Sequence, residues 1–227
     1  MPDAPAVTTD TEKAPTASPG RIWGGLTSDE RIRFRRERLL LVGLEVFGMS
    51  GWSDATVGDI CRFARVSPRY FYELFDGREA LFLAVCESIA EDVHELVHLT
   101  VAQEGLLPEE RVRAALSALI RYFMADHRRV RVALVESCAT PSFRVYRAEM
   151  LDVFASLAAR LMRTLHPDPD PDPDPDSVDE RRLQLNAIIL SGGLAEALIS
   201  FIAGRAPADP EELVDHLTAL YTLAVAG

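Results

Sequence analysis

Large apolar side chains are nearly absent from residues 1–20, which hold four Pro and several Ser and Thr. Such a stretch cannot bury a core and is expected to be a mobile tail. From Thr27 the pattern changes. Ile32, Leu39, Val42, Val46 and Phe47 recur at helical spacing, and Thr27 with Glu30 forms a capping box. Gly48–Ser53 ends that helix. A short helix over Val57–Ala64 is capped by Thr56, and another over Pro68–Leu74 by Ser67, with Pro at the first helical position. Asp76, with Glu79 three residues on, is expected to cap a long helix from Arg78 to about Thr100. Further helices are predicted over Pro108–Ala125, His127–Ser137, Pro141–Leu165, Val178–Ala203 and Pro210–Val225. No segment alternates with period two for long enough to make a strand. The fold class is therefore all-α, with about nine helices in total.

Thr56–Phe75, TVGDICRFARVSPRYFYELF, carries the most information. Val57, Ile60 and Cys61 share one face of the first short helix. Phe71, Leu74 and Phe75 share one face of the second. Val66 sits in a turn of three to four residues, where an apolar side chain plugs the angle between them. This is the arithmetic of a helix-turn-helix, whose second helix presents its outer residues to the major groove.

Composition at first opposes a nucleic-acid partner, because the 227 residues carry a net charge of −11. The charge is unevenly spread. Residues 21–80 hold ten Arg against nine carboxylates, whereas residues 81–227 hold thirteen Arg against twenty-three. Within the first part, Arg21, Arg31, Arg33, Arg35, Arg36 and Arg38 meet only Asp29, Glu30 and Glu37. A local basic stretch sits inside an acidic chain, and local charge is what a duplex meets. Three scattered cysteines, Cys61, Cys86 and Cys138, fit neither a disulfide scaffold nor a zinc site. Cys138 is expected to be buried and inert. No apolar leader opens the chain, and Leu185–Ile202 carries Asn186 and Glu196, so neither a signal peptide nor a membrane span is expected. The expected location is cytoplasmic. Five Pro-Asp pairs over Pro167–Asp176 read as a semi-rigid linker, placed at 166–177.

Residues Arg38–Val85 resemble the N-terminal DNA-binding region of the TetR family of transcriptional regulators. The matching elements occur in order: Phe47-Gly48, Gly51-Trp52, Thr56-Val57, Ile60, Val66-Ser67, Phe71-Tyr72, Phe75 and Arg78-Glu79-Ala80-Leu81. Two positions depart from the family pattern. Arg65 replaces the usual turn Gly and must adopt a left-handed conformation or change the turn. Cys61 replaces a small Ala. The resemblance implies that Thr56, Tyr72 and Arg78 touch phosphates and that Ser67, Pro68, Arg69 and Tyr70 approach base edges. The chemistry agrees, since an Arg fork can pair with guanine and Pro can meet a thymine methyl. The implied organisation is a tail over 1–20, a DNA-binding domain over 21–80 and a ligand-binding and dimerisation domain over 81–227.

The second half is more apolar than the head requires. Ile188, Ile189, Leu190, Leu194, Leu198, Ile199 and Ile202 cover more than one stripe of a helix, which needs partners on more than one side. By resemblance the last two long helices pair with their copies in a homodimer, and Ile189, Gly193, Leu194, Ala197, Leu217, Leu220 and Tyr221 are the expected interface residues. A ligand pocket is expected to draw on Phe82, Cys86, Ile89, Tyr122, Phe123, Phe143, Tyr146, Met150, Phe154 and Phe201, with Asn186, Glu196 and His127 as polar groups. The implied partners are operator DNA, a second copy of the chain, and a small, largely apolar ligand, with no membrane. No cofactor or metal motif is present, and no G-x-S-x-G, H-E-x-x-H, P-loop or paired dinucleotide glycines point to an enzyme. The leading reading is a ligand-responsive repressor on a palindromic operator. A helical dimerisation module without DNA reading and an enzyme with an all-helical pocket stay open as alternatives.

Overall fold

The computed structural model describes residues 27–165, 174 and 177–226. The expected N-terminal tail and nearly all of the Pro-Asp linker lie outside them. Nine α-helices and no strands occur among the described residues. Helix α1 (Ser28–Ser50) opens on the Thr27–Glu30 capping box and closes at Gly51, whose φ is +82°. Helices α2 (Val57–Ala64) and α3 (Pro68–Tyr72) start at the Thr56 and Ser67 caps. They are followed by α4 (Arg78–Val101) and α5 (Pro108–Ala125). Then come α6 (His127–Val130), α7 (Pro141–Arg163), α8 (Val178–Ile202) and α9 (Pro210–Ala226).

Several sequence expectations are corrected. The single helix expected over His127–Ser137 is α6 followed by a π-helical turn, Arg131–Val135, and a 3-10 turn, Glu136–Cys138. Asp76 does not cap α4. Gly77 occupies the cap position without a side-chain bond, and Glu79 accepts a hydrogen bond from Ser142 across the fold instead. The α-helical part of α3 stops at Tyr72, two residues early, although Leu74 and Phe75 N–H still donate to the Phe71 carbonyl. Ile32 faces outward, 45% exposed, because the first turns of α1 extend past the core. Cys138 is exposed, whereas Cys61 and Cys86 are buried.

Leu39, Val42, Val46 and Phe47 of α1 meet Leu81, Phe82 and Val85 of α4 in the continuous core. Helix α4 therefore belongs to both halves of the molecule. An aromatic cluster makes the same junction. Phe82 stacks on Phe143 of α7 with centroids 4.2 Å apart, and Trp52 meets Phe143 edge-on at 4.7 Å. Phe47 meets Phe82 edge-on at 5.2 Å. In the body, α7 packs along α8, α5 along α9 and α4 along α5. Arg163 at the end of α7 pairs with the buried Glu180 at the start of α8. By length and composition α8 could cross a bilayer, yet it lies packed against α7 and α9 in this bundle.

Candidate nucleic-acid interface

The interface is built around the turn between α2 and α3. Arg65 ends α2 at φ 53°, ψ 39°, which is left-handed backbone in a residue with a Cβ. It costs about 1–2 kcal/mol relative to an ordinary helical conformation. Two hydrogen bonds hold it: Arg65 N–H donates to Arg62 carbonyl at 3.3 Å, and Val66 N–H to Cys61 carbonyl at 3.1 Å. Val66 is buried as the plug of the turn, and Ile60, Cys61, Ala64, Phe71 and Phe75 are buried around it. The fully buried Phe71 fixes the rotation of α3 about its axis, which leaves Ser67, Pro68, Arg69, Tyr70 and Tyr72 on the outside.

These outer residues differ in how firmly they are held. Arg69, 85% exposed at its side chain, pairs with Glu73 one turn on at 3.1 Å. An exposed pair of this kind is worth about 0–1 kcal/mol, so it orients the guanidinium without locking it in place. Tyr70 carries the Arg35 guanidinium over its ring at 3.8 Å. Tyr72 leans edge-on against Phe71 at 5.3 Å. The Ser67 hydroxyl accepts from Tyr70 N–H at 3.5 Å. Thr56 accepts from Asp59 N–H at 3.1 Å and donates its hydroxyl to the Asp59 carboxylate at 2.7 Å.

Arg78 is placed differently from the others. Its guanidinium lies 3.9 Å over the Trp52 ring and donates to the Ala55 carbonyl, so it ties the start of α4 to the segment before α2. Its fork is half-buried at the base of the reading head rather than displayed on α3. The arginines of α1 also have particular partners. Arg35 covers Tyr70, Arg36 lies 5.1 Å over Phe75, and Arg38 donates to the Ala64 carbonyl. Three members of the basic stretch thus brace the helix-turn-helix.

Residues 39–85 match the sequence profile described as bacterial regulatory proteins, tetR family. The N-terminal domain is of the TetR family. No curated protein sequence matches the chain. Among solved structures, a TetR-like transcriptional regulator from Rhodococcus sp. RHA1 is 20% identical, with a TM-score of 0.65 over 85% of this chain and 96% of that one. The fatty acid degradation regulator FadR from Bacillus halodurans is 18% identical, with a TM-score of 0.66 over 83% and 94%. FadR from Bacillus subtilis, solved in complex with stearoyl-CoA, is 14% identical, with a TM-score of 0.67 over 83% and 98%. At these identities the likeness establishes a shared fold across head and body.

Behind the TetR-family head, the body holds two adjoining cavities. The larger has about 730 Å³ of empty volume, counting its open mouth, and its wall is aliphatic and aromatic apart from the hydroxyl-bearing Ser191 and Tyr221. The smaller has about 420 Å³ on the same basis. Phe123, Leu134, Leu151 and Phe154 line both.

Of the expected pocket residues, Phe123 and Phe154 lie in both walls, and Cys86, Ile89, Tyr146 and Met150 line the smaller cavity. The remainder fall elsewhere. Phe82 and Phe143 are consumed in the aromatic cluster. Tyr122 donates to Asp92 at 2.7 Å under the Arg129 guanidinium. Asn186 donates to the Ala224 carbonyl at 3.0 Å and so ties α8 to α9. Glu196 and His127 are exposed, and Phe201 lines neither cavity. The aliphatic wall, including Val97, Leu116, Leu134, Leu157 and Leu161, escaped sequence reasoning, because its spacing is that of ordinary core. Among the described residues, no group of His, Cys, Asp and Glu is placed to hold a metal.

The expected dimer residues divide in the same way. Ile189 is 60% exposed and Gly193 is exposed, with Ala197 and Leu220 half-buried. Leu194, Leu217 and Tyr221 are buried within the protomer, and two of them line the larger cavity. The outward apolar face of α8 is instead Leu185, Ile188, Ile189, Gly192 and Gly193, with Leu223 exposed on α9.

Proposed function

We propose that the protein is a cytoplasmic, ligand-responsive transcriptional repressor that binds a palindromic operator as a homodimer. Residues 21–80 act as the reading head and 81–227 as the regulatory and dimerisation body. The observation that carries this reading is a short helix anchored by buried Phe71 and displaying Ser67, Pro68, Arg69, Tyr70 and Tyr72 outward. In this reading Arg69 exchanges Glu73 for the edge of a guanine, and Tyr70 is held for base contact by Arg35. Thr56 and Tyr72 meet phosphates, and Arg78 meets one with the donors that Ala55 leaves over.

The exposed face of α8 supports the homodimer. Leu185, Ile189, Gly192 and Glu196 form one helical stripe, and the glycines allow a partner helix to come close. A two-fold dimer carries two reading heads for the two halves of a palindrome. Ligand response is supported by the segment between α6 and α7. Leu134 lines both cavities, and two residues on, Glu136 accepts the Trp52 N–H at 2.8 Å. Arg131 donates to the Met49 carbonyl at 3.3 Å. A ligand that displaces Leu134 therefore pulls on the turn that leads into α2. A 100-fold loss of DNA affinity requires about 2.7 kcal/mol of differential ligand binding between the two arrangements.

The test is duplex binding at fixed salt, using a sequence selected from random duplexes with the wild-type protein. Arg69→Ala and Tyr70→Ala are each expected to weaken binding at least tenfold, about 1–3 kcal/mol per lost base contact. Arg69 is freely exposed, so Arg69→Ala leaves thermal unfolding unchanged, whereas Tyr70→Ala also loses the Arg35 contact and lowers stability by about 0.5–1 kcal/mol. Unaltered affinity in both variants refutes the assignment of α3 as the reading helix. Light scattering on the same samples should give twice the 25.1 kDa protomer mass, and a monomer refutes the two-fold arrangement.

A further inference from the structure

The two cavities differ in one chemical respect. No charged side chain lines the larger one, and Ser191 and Tyr221 supply its few polar atoms. The smaller brings Tyr146 and Arg147 to its wall, and the Tyr146 hydroxyl and Arg147 Nε are buried with no hydrogen-bond partner. An unmade hydrogen bond at a buried polar atom is costly and uncommon, so two of them in one cavity wall mark a place where a bound molecule supplies what the protein does not. Phe123, Leu134, Leu151 and Phe154 line both, so the two spaces adjoin across these side chains.

We propose that the ligand is an uncharged aliphatic molecule whose chain fills the larger cavity and whose single carbonyl oxygen, of the ketone or ester type, takes the hydrogens of the Tyr146 hydroxyl and of Arg147 Nε. This rests on the reading of the body as a ligand-binding domain and names the chemistry of that site. The aliphatic wall selects the chain by burial of its methylenes. The surroundings of Tyr146 select the charge of the head. Burial first, and then Cys86, Glu87, Glu91 and Glu149, push the phenol up to about 12, so it stays a neutral donor. Cys86 is likewise held neutral by burial, at about 12. Glu87, Glu91 and Glu149 act on Tyr146 from exposed positions, and the single Arg147 in the wall does not balance three carboxylates, which disfavours a carboxylate head and, more strongly, the phosphates of a coenzyme A ester. The Bacillus subtilis FadR structure holds such an ester, so this chain is set apart from that neighbour.

The test uses the full chain and four probes of equal chain length: undecane, 2-undecanone, undecanoate at a pH above its titration, and undecanoyl-CoA. Binding is read by calorimetry and by thermal shift, separately from DNA release. Expected is tightest binding for 2-undecanone, at least tenfold weaker binding for undecanoate and weaker still for undecanoyl-CoA. Tyr146→Phe removes one oxygen without changing the packing. It should cost 2-undecanone about tenfold, close to 1.4 kcal/mol, and leave undecane unchanged. Leu116→Trp fills the larger cavity and should abolish binding of both. Tighter binding of undecanoate or its coenzyme A ester than of the ketone overturns the proposal, as does full affinity of Tyr146→Phe for the ketone. No binding of any probe, with DNA binding intact, also overturns it and leaves the DNA-binding reading standing. Tyr146-dependent ketone binding that does not release DNA sustains this site and refutes ligand control.

Discussion

A single methyl group at Gly48 should destabilise the protein even though it improves the helix. Gly48 lies in the last turn of α1 and is buried. A Cβ placed there falls 2.5 Å from Arg128 Cβ, 2.9 Å from its Cγ and 3.1 Å from its Cα. The first two atoms cannot swing away, because the Arg128 guanidinium is held by Asp126 at 2.8 and 2.7 Å. The third is backbone. Gly→Ala within a helix normally gains about 1 kcal/mol, whereas forcing a group into filled space costs about 1–3 kcal/mol. With backbone among the contacts the upper part of that range applies, and the net loss is about 1–2 kcal/mol. The control is Gly58→Ala in α2, where the nearest atom is Thr56 Oγ1 at 3.7 Å. Only the helix term operates there, and a gain of up to about 1 kcal/mol is expected. Urea unfolding at one fixed protein concentration measures both, because an associating protein's midpoint moves with concentration. If Gly48→Ala is as stable as Gly58→Ala, the close approach of α1 and α6 is not what fixes the sign.

Two further outcomes follow from ion pairs. Glu136→Ala leaves the Trp52 N–H without its acceptor and Arg131 without its carboxylate, and should cost about 1–3 kcal/mol in thermal unfolding. Glu136→Gln keeps an oxygen for Trp52 and should recover part of that loss, with faster exchange of the Trp52 amide proton in Glu136→Ala alone. Acid should loosen the α7–α8 junction. The hydrogen bond from Arg163 holds the Glu180 carboxyl below its ordinary 4.5, with Gln184 adding to the effect. A lowered folded-state pKa means the stabilisation is complete above 4.5 and is lost as pH falls through the lowered value. Asp126, held down by Arg128, adds in the same direction. Urea midpoints from about pH 7 to about pH 3 should therefore fall on the acid side, and Glu180→Gln should flatten that fall.

What was legible in the sequence is what local chemistry decides. Thr27, Thr56 and Ser67 each accept the backbone N–H three residues on, as their side chains and spacing indicate. Asp76 carries the same signal one residue too early, and Gly77 with extended backbone takes the cap position. The π-helical turn at Arg131–Val135 has no Pro, Gly or cap to announce it. It is held from outside, by Met49 and by the Glu136 that also binds Trp52. The greasiness of α8 was plain, but which of its faces turns inward depends on where α7 and α9 lie. Leu194 thus fits an interface by sequence yet lies against the cavity, whose wall also includes Tyr221 of α9. The cavity was legible only at its aromatic edge, since a wall of Val, Leu and Ala at helical spacing looks the same whether it encloses space or other side chains.

The acidic total takes on a different meaning once side chains have places. The positive charge of the head is not spread over α1. Arg35 and Arg36 lie over Tyr70 and Phe75, and Arg38 is bound to the end of α2, so three of the six arginines in residues 21–38 are gathered on the helix-turn-helix. Some of the body's charge is cancelled locally, as where Arg113 of α5 joins Glu211 and Asp215 of α9. The remaining excess can act on a duplex only at short range, because charges are screened over about 10 Å at 0.1 M salt. With α3 docked as proposed, the body's carboxylates therefore subtract little from affinity. In any other orientation they would face phosphates directly and repel them. A net charge of −11 is then compatible with duplex binding and narrows it to one end of the molecule. Affinity should still fall with added salt through the phosphate contacts of the head, and neutralising body carboxylates should raise non-specific binding far more than operator binding.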